Sequence, residues 1–257
     1  MRIVVAAFML ALGATGAHAG LLQSALTAVG VSPPPEARLP LQPRWRDLDG
    51  RETSLGAAMG GKPTLVLFAD YTCSSLCGPA LAFVGDALEK SGLTAKDYRL
   101  IVLGLDPKDS AADARAMRER EAPGKDLPLT MLIGDEQTIH AATQAIGYRY
   151  TYDAEHDQYA HPAAILAVSG DGRVVRVVSA LGISPNDLRL ALTEAGRGLV
   201  GSFADHVRLL CYGFDPSVGA YTLSIQRALA ASGAVTVTVL AGGIAWLAFA
   251  ARRSRPR

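Results

Sequence analysis

Apolar residues along this chain gather in short unbroken runs separated by amphipathic stretches, and that alternation predicts strands and helices taking turns. Leu65 to Phe68, inside Thr64-Leu65-Val66-Leu67-Phe68-Ala69, reads as the first buried strand, and Ala80 to Lys90 follows as a helix. Tyr98 to Pro107 carries the next apolar run, ended by Pro107 and expected to lie parallel to the first strand. Ser110 to Glu121 is rich in Ala and Arg with Ser110 as N-cap, so it reads as a surface helix. Leu129 to Ile133 supplies a third strand, and Glu136 to Ile146 a helix ended by Gly147. Ala163 to Val168 and Arg173 to Val178 flank Ser169-Gly170-Asp171-Gly172, which predicts a hairpin. A last helix, Asn186 to Ala195, starts behind Pro185.

Strand, helix, strand, helix, then hairpin and helix is the order of an α/β, thioredoxin-like fold with helices on both faces of a mixed sheet. The ends of the chain have a different pattern. Arg2, an uncharged stretch from Ile3 to Leu12 and Ala17-His18-Ala19 form a secretory signal peptide over residues 1–19. Pro33-Pro34-Pro35 and Pro40 give residues 20–39 the look of a linker. From Arg227 to Arg252 no charge interrupts the chain, a stretch long enough to span a bilayer, so residues 232–250 are expected to be a C-terminal single transmembrane helix. Arg252, Arg253, Arg255 and Arg257 then mark residues 251–257 as a cytoplasmic tail. Residues 198–231 read as a juxtamembrane segment and 40–197 as the folded domain. That topology places the domain in the periplasm, on the outer side of a bacterial inner membrane.

The formal net charge is +1, and no long basic run lies outside the tail, which argues against nucleic acid as a partner. Of the three cysteines, Cys73 and Cys77 follow the first strand directly, in Tyr71-Thr72-Cys73-Ser74-Ser75-Leu76-Cys77-Gly78-Pro79. A helix N-terminus favours the thiolate, and a spacing of four is expected to set both sulfurs on one helical face. Such a pair selects Cu(I), zinc or another thiol. A structural disulfide would close too short a loop to gain much chain entropy. Cys211, just ahead of the expected span, reads as a partly buried thiol, with an added copper ligand or an intermolecular disulfide as alternatives.

Three motifs in this order resemble the SCO/SenC family of membrane-anchored copper proteins that serve cytochrome c oxidase. They are Tyr71-Thr72-Cys73 with Cys77, Leu103-Gly104-Leu105-Asp106-Pro107, and Tyr159-Ala160-His161 ahead of the Ala163 strand. Ser74 and Gly78 stand where the family carries prolines after its cysteines, and Ala160 and Pro162 flank the histidine. The resemblance implies copper binding by Cys73, Cys77 and His161, with a copper-accepting oxidase subunit as partner. Two thiolates and one imidazole suit Cu(I), and a harder fourth ligand or water extends such a site toward Cu(II). Asp106 is either an ordinary strand-end acid or a group that orients a ligand or meets a partner. The same two sulfurs also fit a membrane-anchored thiol-disulfide oxidoreductase, with Cys73 attacking and Cys77 resolving.

Overall fold

The computed structural model describes residues 29–73, 77–154, 157–196, 212–215, 220–223, 235–243 and 246, with backbone alone at 77–78, 212–215 and 220–223. In chain order the elements are β1 (Gly30–Val31), β2 (Arg44–Arg46), β3 (Glu52–Ser54), α1 (Leu55–Met59), β4 (Thr64–Ala69), α2 (Cys77–Lys90), β5 (Arg99–Gly104) and α3 (Ala111–Glu121). They continue through β6 (Leu129–Leu132), α4 (Glu136–Ala145), β7 (Tyr148–Arg149), β8 (Thr151–Asp153), β9 (Gln158–Ala160), β10 (Ala164–Val168), β11 (Val174–Ser179) and α5 (Pro185–Ala195). A separate hairpin pairs β12 (Tyr212–Asp215) with β13 (Ala220–Leu223).

The apolar run Thr64–Ala69 becomes β4, the middle strand of a five-stranded sheet in the order β11-β10-β4-β5-β6. β4, β5 and β6 are parallel neighbours, while β10 runs antiparallel to β4 and β11 antiparallel to β10. Because strand side chains alternate faces, β4 feeds two cores at once. Leu65, Leu67 and Ala69 pack with Leu81, Val84 and Leu88 of α2 and with Leu188 and Leu192 of α5. Val66 and Phe68 pack on the opposite face with Trp45, Leu55 and Met59 of α1, and Ile139 and Ala142 of α4. Each Leu, Val, Ile, Phe or Met side chain among these, fully withdrawn from water, contributes about 1.5–3 kcal/mol of transfer free energy. The helix on each face is therefore what allows every residue of β4 to be buried. This is a mixed α/β sheet of the expected order.

Local signals locate most element ends. Ser110 caps α3 in a reciprocal arrangement with Asp113, and Ser184 caps α5 with Pro185 in its first turn. α2 begins at Cys77, three residues ahead of its expected start at Ala80. Gly147 stops α4 at a φ of 61°, and a Cβ there would lie 2.2 Å from the Ser32 carbonyl oxygen. That close approach lets Ser32 N–H donate to the Gly147 carbonyl (3.0 Å) beside the β1–β7 pairing. The later part of the Pro-rich stretch is accordingly held on the domain, with Ala37 and Leu39 buried and Leu39 N–H donating to the Gly172 carbonyl.

The expected signal peptide (1–19), Cys211 and the basic tail lie outside the described residues. Of the expected span at 232–250, residues 235–243 and 246 are helical, and Val235, Val237, Val239, Leu240 and Trp246 expose their apolar side chains. Among the described residues, no helix is long and apolar enough to cross a membrane.

Candidate metal centre

The chain leaves β4 at Asp70, which has no exposed surface. Its Oδ1 accepts hydrogen bonds from Thr72 N–H (3.0 Å), the Thr72 hydroxyl (2.8 Å) and Cys73 N–H (3.1 Å). This is an Asx turn, in which a carboxylate imitates a backbone turn and curls the chain before a helix can start. Cys73 therefore lies in the turn, buried and outside the helix, and α2 is described from Cys77 onward. Tyr71 pins the turn from beneath, its buried hydroxyl reaching the carbonyls of Leu132 (2.8 Å) and Val102 (3.0 Å). Gly104 makes room for that ring, since a Cβ there would stand 3.1 Å from Tyr71 Cε2. Burial pushes the Tyr71 hydroxyl well above the usual phenol range, so it stays protonated as a donor.

The other oxygen of Asp70 turns toward a distant segment. Oδ2 accepts from Tyr159 N–H at 2.9 Å, in β9, two residues before His161. One carboxylate thus joins the turn that carries Cys73 to the strand that delivers His161. His161 is half-buried, and its Nδ1 lies 3.1 Å from the Tyr148 hydroxyl and 3.2 Å from the Pro162 carbonyl. Burial lowers its pKa, against the opposing pull of the Pro162 carbonyl and the Asp70 charge. The imidazole is held toward its neutral form, the form that binds metals.

Acidic groups crowd the same end of the sheet. Asp106 is buried behind β5, and its Oδ1 accepts from Lys108 N–H at 2.8 Å, which places it in the turn that follows the strand. Asp109 Oδ2 accepts from Tyr71 N–H at 3.0 Å, while its buried Oδ1 has no hydrogen-bond partner among the described residues. Burial, with added repulsion from Asp70 and Asp106, pushes the Asp109 carboxyl up to about 7 despite the Tyr71 hydrogen bond. Across the rim, Lys108 approaches Asp157 (3.5 Å) and lies over the Tyr152 ring, and Tyr152 donates to Asp157 at 2.5 Å. The rings of Tyr150, Tyr159 and Tyr152 form a continuous row beside it.

Of the residues singled out in the sequence, Cys73 and His161 belong to two segments that Asp70 ties together, and Cys77 opens α2. Among the described residues, which exclude the Cys77 side chain, no group of three or more His, Cys, Asp or Glu is arranged to hold a metal ion. The sequence reading missed Asp70, Asp109 and Tyr148. An acid directly after an apolar strand and three residues before a cysteine is a local sign of a capped turn that could have exposed Asp70. Tyr148 has no such sign, because its partners meet it only through the tertiary fold.

No match was found among curated protein sequences. The fold is similar to that of a SCO1/SenC family lipoprotein from Bacillus anthracis str. Ames, with a TM-score of 0.54 and 16% identity over 65% of this chain and 98% of that one. It is also similar to BsSco, a member of the Sco family of cytochrome c oxidase assembly proteins, with a TM-score of 0.53 and 21% identity over 64% of this chain and 96% of that one. Bradyrhizobium japonicum ScoI, whose structure has copper bound, is a looser likeness, with a TM-score of 0.48 and 23% identity over 60% of this chain and 95% of that one. The SCO1/SenC family model matches residues 43–194, which takes in the whole sheet, the Cys73 turn and His161, and the chain belongs to that family.

Proposed function

We propose that this protein is a metallochaperone that carries copper as cargo on Cys73, Cys77 and His161. It delivers the metal to the dinuclear copper site of a respiratory cytochrome c oxidase, or keeps that site's thiols reduced. The observation that carries the reading is Asp70, whose two oxygens bind the Cys73 turn and the strand leading to His161. A soft donor from one segment and a borderline one from the other are thereby held in the same part of the fold. Membership of the SCO1/SenC family and the preference of thiolate and imidazole for copper support it further. Exposed apolar side chains at Val235, Val237, Val239 and Leu240 support anchoring by the C-terminal segment, and Arg252, Arg253, Arg255 and Arg257 behind it support a domain on the outer side of a bacterial inner membrane.

The test is competition for Cu(I) between a chelator and the reduced chain in detergent. One copper per chain is expected, with tight binding lost in Cys73→Ser and in Cys77→Ser and weakened in His161→Ala. Failure of the reduced wild-type chain to hold copper overturns the reading. The rival use of the same sulfurs is thiol-disulfide exchange. There the Cys73 thiolate attacks an acceptor disulfide and Cys77 displaces it, so the acceptor gains two electrons and this pair is oxidised. His161→Ala separates the two. Copper affinity unchanged with disulfide reduction lost would assign His161 to thiol chemistry.

A further inference from the structure

Among the described residues, β9 pairs with β8 alone, in a hairpin apart from the five-stranded sheet, yet β9 is the strand that leads to His161. One end of that hairpin is anchored by the Asp70 bond to Tyr159 N–H, and by Tyr150 and Tyr159 packed on the core around Phe68. The other end is held differently. Asp157, just ahead of β9, has a φ of 49°, a left-handed conformation that Asp adopts more readily than most residues but at some cost. Its Oδ1 accepts the Tyr152 hydroxyl at 2.5 Å, and Lys108 Nζ stands 3.5 Å from the same oxygen and 5.5 Å from the centre of the Tyr152 ring. Asp157 above all, then Tyr152, raises the Lys108 pKa, so the ammonium stays charged. Lys108 belongs to the turn after β5, where its N–H donates to Asp106 Oδ1 and Asp109 accepts Tyr71 N–H at the foot of the Cys73 turn. One short turn therefore touches both ligand-bearing segments.

We infer that Lys108 is a positioning residue for His161: its ammonium clasps Asp157 and the Tyr152 ring, holds that end of the β8–β9 hairpin on the Asp106–Asp109 turn, and so keeps His161 on the part of the fold that carries Cys73. Lys108 does not itself touch the metal, and the inference rests on the copper reading for what His161 binds. The side chains of Lys108 and Asp157 are 70% and 73% exposed, so water and salt ions compete for the clasp, as they do not for the buried Asp70 anchor. The hairpin accordingly opens first at Asp157, with the Asp70 bond as pivot. An exposed ion pair backed by a cation–π contact shifts such an opening by about two- to fivefold. Arginine keeps both the charge and the ring contact, whereas glutamine loses them.

The experiment uses the full chain in detergent, reduced and metal-free, and reads amide hydrogen exchange at Tyr159 relative to Leu67 of β4. It is run at low salt and at about 1 M salt, where charges more than about 3 Å apart are screened. At low salt Lys108→Gln is expected to speed Tyr159 exchange about two- to fivefold, and Lys108→Arg to stay close to wild type. High salt is expected to bring the wild type to the level of Lys108→Gln and to leave that variant unchanged, a response that packing of the lysine stem alone would not give. Cu(I) affinity at low salt, by chelator competition, should fall in Lys108→Gln by the same factor. Tyr159 exchange that is equal in wild type and Lys108→Gln overturns the inference. So does an equal salt response in the two chains, or a Lys108→Arg chain that exchanges as fast as Lys108→Gln. Exchange that speeds as expected while copper affinity is unchanged overturns the positioning of His161. A wild-type chain that shows the clasp but holds no Cu(I) overturns the metal reading instead, and leaves the clasp supported.

Discussion

A carboxylate with no exposed surface is tolerated at Asp70 only because four donors converge on it, three on Oδ1 and one on Oδ2. Asn has one acceptor oxygen, so its amide group must face either the Cys73 turn or Tyr159 N–H as donor against donor. Asp70→Asn is therefore expected to cost about 1.5–3 kcal/mol of stability, the range for hydrogen bonds to a charged group, as read by urea denaturation. Copper affinity should fall along with it, because the two ligand-bearing segments lose their shared anchor. Asp109 poses the opposite problem, a buried oxygen with no partner among the described residues and a pKa pushed from 3.8 up to about 7. Between those values the unfolded chain releases a proton that the folded chain keeps. Stability from this group is thus full in acid, falls as pH rises through that window, and stays low above it. Asp109→Asn cannot ionise, so it should gain about 1–3 kcal/mol relative to wild type on going from pH 5 to pH 8. Denaturation midpoints that move in parallel at both pH values would contradict the assignment.

The strands legible in the sequence are those buried on both faces, because unbroken apolar runs such as Thr64–Ala69, Arg99–Gly104 and Ala164–Val168 admit no competing pattern. The start of α3 was legible from Ser110, whose side-chain oxygen satisfies an N–H group of the first turn, and that of α5 from Pro185, while the Ser184 cap was not read. The β8–β9 hairpin was not legible. Apart from Ala160, its residues Thr151–Asp153 and Gln158–Ala160 are polar or aromatic, and they are half-buried except for the exposed Tyr152; the bond that seats it on the site comes from Asp70, about ninety residues earlier in the chain. The same limit applies to the Cys73 turn: spacing alone suggested a helix through both cysteines, and a hydrogen-bonded Asp overrode it. Gly147 shows how such elements transmit order. It closes α4, permits the Ser32 approach and is followed at once by Tyr148, the residue beneath His161. Gly147→Ala meets both a left-handed backbone and a Cβ contact of 2.2 Å, so a loss of at least about 1 kcal/mol is expected. The His161 ring signals should shift in the same variant, and a destabilised chain whose His161 environment is unaltered would argue against that transmission.

At the scale of the molecule, the proposed ligands come from opposite ends of the fold's wiring: Cys73 and Cys77 follow the central strand β4, and His161 arrives after five further strands and three helices in the family-matched region. An unfolded chain does not hold these groups together, so copper bound by all three stabilises the folded state alone. With free Cu(I) buffered at a hundredfold excess over the dissociation constant, mass action adds about 2.7 kcal/mol. For a domain of this size that corresponds to a rise in Tm of roughly 5–11 °C. The rise should vanish in Cys73→Ser and Cys77→Ser, and also in the wild type once the pair is oxidised, because a disulfide removes both sulfur donors together. Thermal melts of the reduced and oxidised chain, each with and without buffered Cu(I), measure the four corners of that cycle. If copper raises Tm equally in the reduced and oxidised chains, the metal is held elsewhere and the dithiol is not its carrier. If only the reduced wild type responds, metal loading and thiol redox state are one linked equilibrium. Oxidation by an acceptor would then be sufficient to release the cargo.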